Sequence, residues 1–231
     1  MEFTSLSYER FTLTFILVAT GILIGIALLY SFIRAVSYST YRSLEEEWRR
    51  KYRRRESGRE GEETMAHELA FLPREYRVLH RLYLYVPGRE VGQEIDHLVI
   101  GPNGIFHIET KNDLGKIVIT QDGDWLIKRD KKYQGMRNPL AQVRRHHLVL
   151  EEFLEENYPD EEISIKGIVA LSRPETMLEG ASNSPVPVIK AERVPDFITS
   201  FRAPIELPPT QVELIYFKLS GYVLTEDDDF I

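Results

Sequence analysis

Residues 94–111 read EIDHLVIGPNGIFHIETK. Two apolar runs of strand length flank a Gly-Pro-Asn-Gly turn, so the chain is built around a hairpin that needs cover from water. Asp96, Glu109 and Lys111 interrupt that apolar pattern. Glu109 and Lys111 are two apart and share one face of a strand. If Pro102 and Asn103 form a two-residue loop, Asp96 lies across from Glu109, and Glu94 across from Lys111. A type I turn with a bulge at Gly104 instead slips the pairing by one and sets Asp96 opposite Thr110. In the first register two carboxylates and an ammonium converge. Carboxylates crowded in a partly dry site repel, and a cation relieves them. A hard divalent ion, Mg²⁺ or Mn²⁺, suits such oxygen donors, and these parts suit metal-assisted hydrolysis of a phosphodiester. A plain ion pair of Lys111 with Glu109 or Asp96 remains the structural alternative.

Other elements surround this hairpin. EGEETMAHELAFL, from Glu60, reads as an amphipathic helix with Met65, Ala66, Leu69 and Leu72 at helical spacing, and Glu62 shares that face. Strands are expected near 76–85, 94–100, 104–111, 115–120, 124–129 and 163–172. NPLAQVRRHHLVLEEFLEEN is a helix with Asn138 as N-cap and Pro139 in its first turn. Its expected core stripe is Leu140, Val143, His147, Leu150 and Leu154. A short strand in PVPVIK and short helices near 193–201 and 210–220 follow, and TEDDDFI, 225–231, reads as a frayed end. The order of helix, strands, helix and strand is that of an α/β fold, a mixed sheet flanked by helices.

The N-terminus differs in kind. Residues 11–33 form a run of 23 without a charge, long enough as a single transmembrane helix to cross a hydrocarbon core of about 30 Å. Gly21 and Gly25 have the spacing that lets helices approach closely, although glycine is common in membrane helices anyway. A cleaved signal peptide would have a basic start and a shorter apolar core. Residues 34–59 hold nine Arg or Lys against four Glu, whereas only Arg10 precedes the run. The positive-inside rule then puts a single-pass anchor in the cell membrane with the C-terminal bulk in the cytoplasm. The expected organisation is a tail at 1–10, the span at 11–33, a basic juxtamembrane helix at 34–57, a domain at 58–172 joined near Gly58–Gly61, and an extension at 173–231 that completes or decorates it. RRKYRRR serves topology, lipid headgroups or nucleic acid.

The 231 residues carry a formal charge of −7 and no cysteine. That excludes disulfides, thiolate metal sites and cysteine nucleophiles. There is no Walker, Rossmann, zinc-protease or serine-hydrolase signature. His97 and His107 read as core histidines with satisfied hydrogen bonds, and His146 and His147 as the end of a basic patch. That patch, Lys128, Arg129, Lys131, Lys132, Arg137, Arg144 and Arg145, is set against one acid, Asp130. It suits a phosphate backbone, or is a solvated surface.

GEETMAHEL, EIDHLVIGPNGIFHIETK, Gly115, Trp125 and NPLAQVRRHH together resemble the NERD (nuclease-related) domain, over about residues 58–157. The resemblance implies the PD-(D/E)xK nuclease superfamily and a restriction-endonuclease-like core. It also implies that Asp96 and Glu109 hold the metal, that Lys111 positions or deprotonates the attacking water, that Glu62 is a further ligand through water, and that Gln142 is a polar residue facing the site. Ile95 stands where the superfamily's name has proline. The function this implies is a membrane-anchored, divalent-metal-dependent nuclease acting on DNA or RNA. The alternative is a non-catalytic module that binds nucleic acid or protein at the inner membrane face, since a fold does not dictate an activity.

Overall fold

The computed structural model describes residues 3–85 and 92–224. The reading of 225–231 as a frayed end lies outside the described residues. The chain divides into two compact units, residues 1–55 and 56–231. Helix α1 (Phe3–Leu69) contributes to both.

In the first unit, the expected membrane span at 11–33 is helical throughout. Side chains are described for only part of that run. Among the described residues, no helix is long and apolar enough to cross a membrane. Ile22, Leu23, Ile24, Leu28, Leu29, Phe32 and Ile33 are exposed.

The second unit is a mixed α/β fold with two sheets. The larger has the order β1-β2-β3-β7-β9, from β1 (Arg77–Leu84), β2 (Gln93–Gly101), β3 (Gly104–Lys111), β7 (Ile165–Leu171) and β9 (Val188–Lys190). The first three strands pair antiparallel, and β3, β7 and β9 pair parallel. The smaller sheet, β6-β5-β4-β8, is made of β4 (Lys116–Ile119), β5 (Trp125–Arg129), β6 (Lys132–Gly135) and β8 (Met177–Glu179). β6 and β8 carry no periodic apolar signal, being KYQG and MLE. They are held by backbone pairing to their neighbours.

Helices cover both faces of the larger sheet. Met65 and Leu69 of α1 pack with Phe106, Ile108, Ile168 and Ala170, together with Val194 and Ile198 of α3 (Val194–Ser200). On the opposite face Val149, Leu150, Phe153 and Leu154 of α2 (Leu140–Asn157) pack with Leu98, Ile100 and Ile105, joined by Val212, Ile215 and Leu219 of α4 (Pro209–Ser220). Val143 of α2 also meets Ile117, Trp125 and Ile127 of the smaller sheet. Burial of both faces explains why β2, β3 and β7 are near-continuous apolar runs.

Three details differ from the sequence reading. Helix α1 runs through Gly58 and Gly61 without a break. A side chain at Gly61 would bring its Cβ within 2.8 Å of Asn112 Cβ, so glycine serves a close approach there rather than a joint. Helix α2 begins at Leu140, after Pro139, although Asn138 Oδ1 does accept the Leu140 N–H at 2.9 Å. Its buried stripe is Val143, His146, Val149, Leu150, Phe153 and Leu154. His146 therefore faces in, and His147 is only half-buried.

Candidate functional site

The β2–β3 hairpin takes the two-residue-loop register: Gly101 pairs with Gly104, Ile100 with Ile105, Val99 with Phe106, Leu98 with His107 and His97 with Ile108. The ladder stops there, one step short of Asp96 and Glu109. Strand β3 continues beside β7, where Glu109 pairs with Val169 and Lys111 with Leu171. On the other side of β2 the register with β1 skips the pair Arg81–Asp96, and Arg81 has φ 52°, in the left-handed region. Ile95 and Leu98, three apart, both join the same apolar cluster, so the alternation of faces slips once between them while the register stays the same, one residue of each strand leaving the ladder. Asp96 thus sits where β2 parts from both neighbours. Its Oδ2 accepts the Thr110 N–H at 2.8 Å, replacing the missing ladder bond.

Four of the expected residues gather around this gap. Glu109 is 2% exposed, and Lys111 Nζ donates to its Oε1. Lys111 Nζ also reaches Gln142 Oε1 of α2 at 3.4 Å. Glu109 Oε2 is buried and finds no hydrogen-bond partner among the described residues. Burial above all, and then the charge of Glu109, push the Asp96 carboxyl well above the usual carboxylate range. The Thr110 amide pulls it back, the Glu62 carboxylate of α1 raises it further, and Lys111 lowers it. Asp96 therefore feels both Glu109 and Glu62 as like charges.

The end of α1 is tied to the end of β3 just beside this group. Asn112 Nδ2 donates to Ser57 O at 2.7 Å and to Glu60 Oε2 at 3.0 Å, and its Oδ1 accepts from Ser172 Oγ at 2.9 Å. Arg173 adds a 2.9 Å ion pair to Glu60. These bonds hold Glu62, two residues past Glu60, near the residue that follows Lys111.

One member of the site was passed over in the sequence. His146 is 2% exposed, and its Nδ1 lies 3.9 Å from Glu109 Oε2. Burial, then the nearby cations Arg145 and Lys111, hold its pKa down to about 4, so it is neutral at pH 7. The available signal was spacing: Gln142 and His146 are four apart and share a helix face. The stripe had been phased on His147 instead. The strand histidines also depart from expectation. His97 Nδ1 bonds His80 Nδ1 at 2.8 Å, but His97 Nε2 and both nitrogens of His107 find no partner among the described residues. Burial lowers both of these pKa values to about 3.

The basic patch divides. Arg144 and Arg145 lie on α2, where Arg145 donates to Gln93 Oε1 at 3.0 Å. Lys128, Arg129, Lys131 and Lys132 lie on and around the β5–β6 hairpin of the smaller sheet, and Arg137 follows it. Arg129 pairs with Asp113 at 3.0 Å, and Lys128 lies over the Tyr133 ring at 5.2 Å.

Residues 57–172 match the family described as NERD, nuclease-related domain. An uncharacterized protein of Bacillus anthracis is 33% identical over 104 residues, 44% of this chain and 49% of that protein. The chain spans about half the length of that relative. No solved structure matches the chain. The family match covers half of the 231 residues and contains Glu62, Asp96, Glu109, Lys111, Gln142 and His146, and the chain belongs to the NERD family of nuclease-related domains.

Proposed function

We propose that this chain is a divalent-metal-dependent nuclease of PD-(D/E)xK type that hydrolyses phosphodiester bonds of DNA or RNA. The observation that carries the reading is the convergence of Asp96, Glu109 and Lys111 where β2 and β3 part, with Glu62 acting on Asp96 from α1. The residues fit a hard cation. Their donors are oxygens, the Asp96 carboxyl is strained by its acidic neighbours, and Glu109 Oε2 is buried without a partner among the described residues. Among the described residues no group of three His, Asp or Glu is placed to hold a metal ion. Asp96 and Glu109 would therefore hold Mg²⁺ or Mn²⁺, with Glu62 acting through water. One or two carboxylates are the usual protein share for Mg²⁺, waters and substrate phosphate oxygens completing the shell.

Such an ion, when bound, supplies polarisation of a phosphoryl oxygen and a more acidic water. The protein supplies the rest. Lys111 Nζ, held between Glu109 Oε1 and Gln142 Oε1, is aimed to hold the attacking water or to neutralise charge developing on phosphate oxygens. Gln142 gives that ammonium a second, longer contact at 3.4 Å. Neutral His146 walls the inner side and takes no charge from Glu109. Arg144 and Arg145 supply backbone phosphate contacts.

Residues 11–33 serve in this reading as a membrane anchor. Apolar side chains such as Ile22, Leu23, Ile24 and Leu28 are exposed on successive helix faces, as a helix in lipid requires. The basic segment after them favours a cytoplasmic domain. Release of the full chain from membranes by alkaline carbonate would overturn the anchor.

A second reading has its own support: Lys111 already neutralises Glu109, as in a site that only binds. One experiment separates the two. The full chain in detergent is incubated with labelled single-stranded DNA, duplex DNA and RNA under Mg²⁺, Mn²⁺ or EDTA, beside Glu109→Gln. Cleavage abolished by both EDTA and the substitution is expected. Intact substrate under every metal, with binding that ignores EDTA, would leave a binding module.

A further inference from the structure

A cavity of about 580 Å³ opens beside the N-terminal half of α2, against the start of β7 and the loop before β9. Its walls are apolar, with Leu140, Val143, Ile165, Pro185 and Val186 among them. Pro185 and Val186 lie beyond the family match, so the C-terminal extension builds one wall. Its polar groups gather on the α2 side. Arg144 and His147 line it, and neither makes a hydrogen bond or ion pair among the described residues. Among the described residues no acidic side chain lines it. Lys166 contributes from β7, its ammonium turned to the Phe201 ring at 5.9 Å.

Behind the cavity stands a third polar group. His107 is 0% exposed, and both ring nitrogens lack partners among the described residues. Gly167 is the wall between them. Even a Cβ at Gly167 would fall 2.5 Å from Val143 Cγ1 and 2.7 Å from His107 Cε1, so the imidazole is packed off from the cavity. The His107 ring is also 5.7 Å from that of His147.

We propose that this cavity takes the base of one unpaired nucleotide, with its phosphate on Arg144. Apolar walls suit the two faces of a heteroaromatic ring. The imidazole of His147 suits its hydrogen-bonding edge. A guanidinium at an acid-free mouth suits a phosphate. The inference rests on the nuclease reading for its meaning: Gly167 pairs with His107, two residues before the Glu109–Val169 pair, so the pocket lies roughly 7 Å along the strands from the carboxylates. A nuclease built this way acts on single strands or frayed ends, where a base is free to leave the stack.

The test uses the full chain in EDTA, which stops cleavage. Its probes are AMP, dAMP, a single-stranded oligonucleotide carrying 2-aminopurine, and the same oligonucleotide in a duplex. Ala141→Trp fills the cavity from an exposed helix position, and Arg144→Glu reverses the charge at its mouth. Each is expected to weaken the mononucleotides and the single strand by at least about tenfold, or about 1.4 kcal/mol. Leu214→Ala, at an exposed position of α4, is expected to stay within about twofold of the unsubstituted chain, a small change on the same scale. The duplex is expected to bind more weakly and to give no 2-aminopurine change. Equal affinity in all variants, or a 2-aminopurine signal that binding leaves unchanged, would overturn the pocket, and metal-dependent cleavage would still stand. Mononucleotide binding that Ala141→Trp abolishes, in a chain that cleaves nothing, would keep the pocket and sink the nuclease reading.

Discussion

Glu109 Oε2 and His146 Nδ1 face each other across 3.9 Å inside the protein, and neither finds a hydrogen-bond partner among the described residues. A protonated imidazole would close that gap as an ion pair. Burial and the cations Arg145 and Lys111 prevent it by keeping His146 neutral. Glu109 therefore keeps one oxygen for something other than the protein.

Asp96 is held against the cost of burial first and then against repulsion by Glu109 and Glu62, so its function works against stability. A carboxyl whose folded pKa lies above its unfolded value contributes stability at low pH and loses it as pH rises past the unfolded pKa. Asp96→Asn keeps an oxygen to accept the Thr110 N–H and removes the charge. It should raise stability at pH 8 by about 0.5–2 kcal/mol while abolishing metal-dependent cleavage. Chemical denaturation of the full chain without added metal checks this, and a destabilised Asp96→Asn would contradict it.

Buried histidines set the acid limit. His97 and His107 titrate near 3 and His146 near 4 in the folded chain, below the usual 6.5. The unfolded chain binds these protons first, so stability is full above about pH 6.5 and falls as the pH drops towards 3–4. Each imidazole is expected to cost on the order of 2 kcal/mol by pH 4.5. Denaturation midpoints across pH 4.5–7.5 report it. A flat profile would mean that these rings are solvated or paired.

Gly167→Ala should destabilise by about 1–3 kcal/mol through overpacking. Its Cβ would meet Val143 Cγ1 at 2.5 Å and His107 Cε1 at 2.7 Å. Thermal melts of the full chain would show the loss, whereas Gly123→Ala, in open space but at φ +83°, would lose stability through its backbone alone.

Asn112→Ala should cost about 1–2 kcal/mol through its lost, partly buried hydrogen bonds. It should also weaken Mn²⁺ binding, because Asn112 ties α1, and with it Glu62, to the end of β3. Titration calorimetry of the folded variant separates the two effects. Unchanged Mn²⁺ affinity would show that Glu62 has no part in holding the ion.

Much of this was legible in the residues. The apolar runs and the Gly-Pro-Asn-Gly turn determined β2 and β3 within a residue of their observed ends, and Asn138-Pro139 marked the start of α2. Apolar periodicity reads locally, and both strands are covered on two faces, so nothing competed with it. The candidate acids and lysine also stood out, as charges in apolar strands. Tertiary structure alone decided the hairpin register between two turns that the same residues allow. It alone brought Gln142 and His146 against Lys111 and Glu109, because the phase of a helix on a sheet depends on which side chains its neighbours can bury. β6 depended on a tight hairpin with β5 and β8 on long-range pairing with β4, and backbone pairing leaves no mark on side-chain pattern. The cavity beside α2 depended on Pro185 and Val186 folding back over β7, a contact that no local sequence rule specifies.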